Sequence, residues 1–107
     1  MIVTAWNNGK QSATGAGYGL KIDAATRDQY FRREWKSVMV FLEDQEKPVK
    51  INVGKKSFWN KTCRELINAE VGRWFIKNKL APWPLWNPPK LLLEPLSETR
   101  HFLLRRV

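Results

Sequence analysis

Trp-Lys-Ser-Val-Met-Val-Phe-Leu (35–42), Glu-Asp-Gln-Glu (43–46) and Val-Lys-Ile-Asn-Val-Gly (49–54) decide the class of fold. The first stretch is rich in β-branched and apolar residues, and the acidic tetrapeptide is a turn. In the third, Val49, Ile51 and Val53 alternate with Lys50 and Asn52, the two-residue period of a strand with one buried face, and Gly54 ends it. An antiparallel hairpin follows, and a half-buried hairpin needs a second layer to cover it.

Working outward toward the N-terminus, Ile2 to Trp6 is a short strand closed by the turn Asn7-Asn8-Gly9. Residues 10–17 are small and polar and form a loop. Tyr18, Leu20 and Ile22 then alternate as a second strand, and Asp23 is placed to cap a short helix ending near Phe31. Toward the C-terminus, Trp59, Cys63, Leu66, Ile67, Val71, Trp74 and Phe75 recur at helical spacing, which predicts one long helix from Phe58 to Asn78. Ser57 is its N-cap, and Gly72 within it suggests the close approach of another element. Residues 81–89 contain four prolines and read as an extended loop, and Lys90 to Pro95 with His101 to Val107 flank Ser97-Glu98-Thr99-Arg100 as a terminal hairpin. The expectation is a single α+β domain over 1–107: a mostly antiparallel sheet, able to curl into an open barrel, with one long and one short helix.

Gly-Ala-Gly-Tyr-Gly-Leu-Lys-Ile (15–22), Ser-Phe-Trp (57–59), Cys-Arg-Glu-Leu-Ile (63–67) and Leu-Ala-Pro-Trp-Pro (80–84) resemble a family of small, uncharacterised prokaryotic proteins. The resemblance spans nearly the whole chain. It implies a single-domain prokaryotic protein and transfers no activity and no site residue.

Composition narrows the function. The purely apolar runs, such as Val38 to Leu42, fall far short of the ~20 residues that cross a bilayer, and the N-terminus has no export signal, so a cytoplasmic protein without a membrane partner is expected. A lone Cys63 cannot form an internal disulfide, and with a lone His101 it cannot build a Cys/His zinc cage. The net charge is +9. Residues 1–46 hold six Lys/Arg against six Asp/Glu, residues 47–79 hold nine against two, and residues 80–107 hold four against two. A concentrated basic segment suits a phosphate backbone, where each neutralised phosphate releases counterions.

Catalytic readings are weaker. Gly15, Gly17 and Gly19 precede a strand, whereas a phosphate-binding glycine loop opens a helix. Asp23, Asp28, Glu34 and Lys36 faintly imitate a metal-dependent nuclease set, but Arg27, Arg32 and Arg33 lie beside those acids as structural partners. Cys63, read on an apolar helix face, is a small hydrophobe rather than a nucleophile. Glu70 pairs with Arg73 at the helix edge. Trp6, Trp35, Trp59 and Trp74 fall in elements that build core, whereas Trp83 and Trp86 in the proline loop either lid the core or present rings for base stacking.

The leading reading is a non-catalytic nucleic-acid-binding module, for DNA or RNA, with no metal or cofactor. Lys50, Lys55, Lys56, Lys61, Arg64 and Lys77 contact phosphates, and Trp83 and Trp86 are stacking residues. The alternative is a protein-interaction or accessory subunit that docks an acidic partner through the same basic face.

Overall fold

A computed structural model describes all 107 residues. The elements are β1 (Ile2–Asn7), β2 (Tyr18–Lys21), α1 (Ala24–Tyr30), β3 (Ser37–Leu42), β4 (Val49–Asn52), α2 (Lys56–Trp59), β5 (Glu65–Ile67), α3 (Ala69–Lys77), β6 (Lys90–Pro95) and β7 (His101–Arg106). The fold is α+β, with one seven-stranded sheet ordered β4-β3-β7-β6-β1-β2-β5. Every pairing is antiparallel except β3 with β7, where the central and terminal hairpins join.

Alternation builds the core as the sequence implies. Val38, Val40 and Leu42 of β3, Val49 and Ile51 of β4, Leu91 and Leu93 of β6, and Phe102 and Leu104 of β7 are all buried. The sheet curls until its edges approach, and the Asn68 side-chain amide donates to the Lys50 carbonyl at 3.3 Å, leaving a nearly closed barrel. Asp23 caps α1 as expected, its carboxylate accepting from the Thr26 amide at 2.8 Å and the Thr26 hydroxyl at 2.9 Å.

The single long helix does not form. Residues 58–78 divide into the end of α2, a turn, β5 and α3. The local cause is Asn60, whose side-chain oxygen accepts from the Thr62 and Cys63 amides at 3.0 and 2.7 Å and so offers the backbone a turn in place of a helix. Arg64 then adopts φ 59°, and β5 pairs with the edge of β2, Leu20 opposite Leu66. Of the residues that suggested one stripe, Leu66, Val71, Trp74 and Phe75 enter the core, from β5 and α3, whereas Trp59 and Cys63 are half-buried and Ile67 is exposed; Phe58 of α2 is buried in addition. Cys63 consequently sits half-buried in the turn, not on a helix face, and Asn68 rather than Ser57 supplies a cap, accepting from the Glu70 amide at 2.7 Å.

Gly72 explains itself in three dimensions. A Cβ on Gly72 would lie 2.7 Å from Gly15 Cα, and Gly15 itself has φ 85° with the backbone of α3 where its own Cβ would be. Gly15 thus lays its loop across α3 at backbone contact, while a Cβ on Gly17 (φ 79°) would meet the Asn8 side chain and one on Gly19 the β5 backbone at Leu66, so each glycine has a packing reason without a phosphate. Arg73 fastens the same crossing by donating to the Thr14 carbonyl at 3.1 Å.

Pairing registers define two ends. The β3–β4 turn, the 8–17 loop, α3 and the 78–89 loop gather at one, here the α3 end; α1, α2, the 31–36 turn and the 60–64 turn gather at the other. No helix is long and apolar enough to cross a membrane.

At an exposed helix site Gly→Ala gains about 1 kcal/mol. Gly72→Ala is expected to do the reverse, destabilising by about 1–3 kcal/mol through overpacking against Gly15. A lowered urea midpoint checks this, and an unchanged or raised one contradicts the backbone contact.

Candidate nucleic-acid interface

The basic residues of the 47–79 segment do not share a face. Lys77 lies at the α3 end and Lys50 on the outer side of β4 beside the α3 cap, while Lys55, Lys56, Lys61 and Arg64 lie at the α1 end. The reading of one basic surface over these six residues is therefore corrected. Its cause is the break at Asn60, which sends the chain back along the barrel through β5 and separates Lys61 from Lys77 by more than a strand. Arg64 is further removed from ligand duty, since its guanidinium donates to the carbonyls of Ile22, at 2.8 Å, and of Lys61.

Two grooves lie at the α3 end. One, of about 390 Å³, lies between α3 and the β3–β4 turn and is lined by Gln45, Lys47, Pro48, Glu70, Arg73, Trp74 and Lys77. The other, of about 470 Å³, is bounded by Lys79, Lys90 and the proline loop, and no acidic side chain lines it. From Val71 to Leu93 the chain contains no Asp or Glu. Within the first groove Glu70 meets Arg73 at 4.0 Å, an ion pair between two exposed side chains at the helix edge, as the sequence suggested.

The nearby acidic turn is neutralised from within the chain. Arg106 donates to Glu43 at 2.8 Å, to Asp44 at 2.7 Å and to the Asn78 side chain at 2.8 Å, tying the C-terminal strand to the β3–β4 turn and to the end of α3. These hydrogen bonds from the Arg106 side chain and amide, with its positive charge, hold the Glu43 carboxyl below the usual carboxylate range. No ion pair engages Lys47, Lys50, Lys77, Lys79 or Lys90, all of them exposed, and the Lys90 ammonium donates to the Thr4 hydroxyl at 2.8 Å.

The two loop tryptophans separate. Trp83 is half-buried, packing edge-to-face on Tyr18 at 5.5 Å and on Phe75 at 5.9 Å, and Gln11 clamps its backbone through bonds of 2.9 and 3.1 Å. It lids the core, which corrects its assignment to stacking. Trp86 stands at the apex, 90% exposed, beside Leu85 at 80%. Its φ of 68° and the Asn87 amide's bond to the Pro84 carbonyl at 3.0 Å hold a tight turn that projects the indole outward.

The α3 end therefore offers a run of lysines along two grooves, with one ring free on both faces. Lys47, Arg73, Lys79 and Lys90 belong to it and were missed in the residue-by-residue reading. The acid-free interval 71–93 is a signal for Arg73, Lys79 and Lys90, whereas Lys47 lies outside it, beside Glu46. Of the carboxylates considered for metal chemistry, Asp23 caps α1 and Asp28 accepts from Arg27 at 3.0 Å, while Glu34 is exposed and enters no ion pair.

Arg106→Ala is expected to move the Glu43 pKa upward, toward the ordinary carboxylate range, because the guanidinium is lost while the backbone amide remains; carboxyl-carbon NMR titration reads the shift. The sign for stability follows. A carboxyl held below its unfolded value contributes stability above that value and loses it as pH falls through the folded pKa, so the variant should differ from the parent at neutral pH and converge with it in acid. A Glu43 titration unmoved by the substitution would contradict the assigned cause.

Comparison with protein-family models, with curated proteins and with solved structures finds no match.

Proposed function

We propose that this chain is a cytoplasmic, non-catalytic nucleic-acid-binding module that uses its α3 end. The observation that carries the reading is the lysine-lined, acid-free groove beside the 90% exposed Trp86. Phosphates would lie along Lys47, Lys77, Lys79 and Lys90, with Lys50 beside them, while an unstacked base lies on the Trp86 ring. Backbone neutralisation supplies affinity without sequence preference. Stacking favours single strands, because only an unpaired base can reach a single projecting ring.

A second reading is supported by Leu85 and by the outer face of the barrel. Phe41 and Leu103 are partners across β3 and β7, and Leu92 and Ile2 across β6 and β1, all pointing away from the core, whereas α2 and α3 pack on β5 and β2. These apolar side chains serve a protein partner better than a nucleic acid. Retention of a partner after nuclease treatment of a lysate favours that reading.

Fluorescence anisotropy with single-stranded and duplex DNA and RNA over a salt series tests the leading one. Affinity should fall steeply with salt, and Lys77→Ala with Lys79→Ala should reduce the single-strand slope by about 1.4. Trp86→Ala should cost about 1–3 kcal/mol on single strands and little on duplex. Absence of binding at low salt would remove the reading.

A further inference from the structure

The excess charge of this chain is divided between two opposed ends, and the α1 end carries a second cluster. Its cations come from three segments that look separate in sequence. Arg32, Arg33 and Lys36 lie in the turn before β3, Lys55 and Lys56 at the start of α2, and Lys61 in the turn after it. The Val53 and Gly54 amides donate to the Lys36 carbonyl at 2.9 and 3.1 Å, which joins the first segment to the second. The Arg33 guanidinium lies 5.0 Å from the Trp59 ring centroid, and Arg27 binds the Phe58 and Asn60 carbonyls at 3.1 and 2.7 Å, which ties both to the turn holding Lys61.

The internal cation at this end is Arg27, buried and paired with Asp28. The six others enter no ion pair, and all but the half-buried Lys55 are exposed. Of the acids at this end, Asp23 accepts from Thr26 and Asp28 from Arg27, while Glu34 and, in the β6–β7 turn, Glu98 enter no ion pair; all four are exposed, and the unpaired cations outnumber them. Arg33 is braced over an indole, and that indole is fixed by its own bond to the Val53 carbonyl at 2.9 Å, so the guanidinium stands part-ordered before any phosphate arrives.

A six-residue strand spans about 20 Å, so the two clusters are separated by roughly the width of a nucleic-acid duplex. Phosphates seated across the α3 end lie that far from the α1 cations in a molecule of 34 × 31 × 22 Å, which leaves the α1 end open to a second backbone. From this division we infer that the α1 end is a second phosphate-backbone site, and that a single copy of the chain bridges two nucleic-acid segments. This inference rests on the nucleic-acid reading of the α3 end and adds a partner to it. The second segment is recognised by charge alone, since Trp59 is half-buried beneath Arg33 and offers no free ring.

The experiment is capture of a fluorescent duplex by the protein on beads carrying an unlabelled biotinylated duplex, at limiting protein and low salt, with the oligomeric state of free protein measured by sedimentation. The parent should retain the fluorescent duplex. Lys55→Glu with Lys56→Glu and Lys61→Glu, or separately Lys77→Glu with Lys79→Glu, should each leave the protein on the beads but reduce capture about tenfold or more. Lys56, Lys61, Lys77 and Lys79 are exposed and Lys55 half-buried, and circular dichroism establishes that each variant is folded. A parent that binds the beads yet captures nothing overturns the second site while leaving the first intact. Capture that survives the 55/56/61 variant also overturns it, since bridging would then come from paired copies using one end. A parent that binds neither duplex nor single strand overturns the nucleic-acid reading itself, and this inference falls with it.

Discussion

The contact on which the α3 end depends is backbone against backbone, where Gly15 crosses Gly72 with no room for a Cβ on either. Such an approach is open only to glycine. It brings the 8–17 loop down onto α3, lets Arg73 reach the Thr14 carbonyl, and sets Gln11 where it clamps Trp83. Trp83 then closes over Tyr18 and Phe75, which fixes the base of the proline loop and leaves its apex outside. A chain of ordinary packing constraints therefore ends in one exposed indole.

Charge is organised on a similar principle, by pairing some groups so that others stand alone. Arg106 neutralises Glu43 and Asp44, Arg105 meets Glu94 at 2.7 Å, and Arg27 is buried against Asp28 and two carbonyls. These arginines staple strands, turns and helices together. The cations left over are mostly lysines on the surface, and a lysine without a partner contributes little to stability while projecting its field into solvent. Arg32, Arg33 and Arg100 are exposed arginines among them, and Arg33 is ordered by an aromatic ring rather than by a carboxylate.

Local signals were strong enough to be read directly from the chain in several places. The hairpin of β3 and β4, the strands around Tyr18 and Leu92, the terminal hairpin and the Asp23 cap all follow from two-residue alternation, turn residues and a short polar side chain placed before a helix. The α3 end was partly legible as well. Lys50, Lys77 and Trp86 were picked out, whereas Trp83 could be resolved into a core lid only once Tyr18 and Phe75 were known to lie beneath it.

What the sequence by itself determined was the class of fold, the alternating core and the excess of positive charge, because each depends on residue type and short spacing. The tertiary structure alone decided how residues 58–78 are used. A run of apolar residues at helical intervals satisfies a helix equally well as it satisfies a turn, an edge strand and a shorter helix around one core, and the choice fell to Asn60 and to the vacant edge of β2. That choice also settled the electrostatics. Charge counted along a chain is a local sum, but the field at a surface depends on which segments the fold brings together, and here β5 carries Lys61 and Lys77 to opposite ends of the barrel.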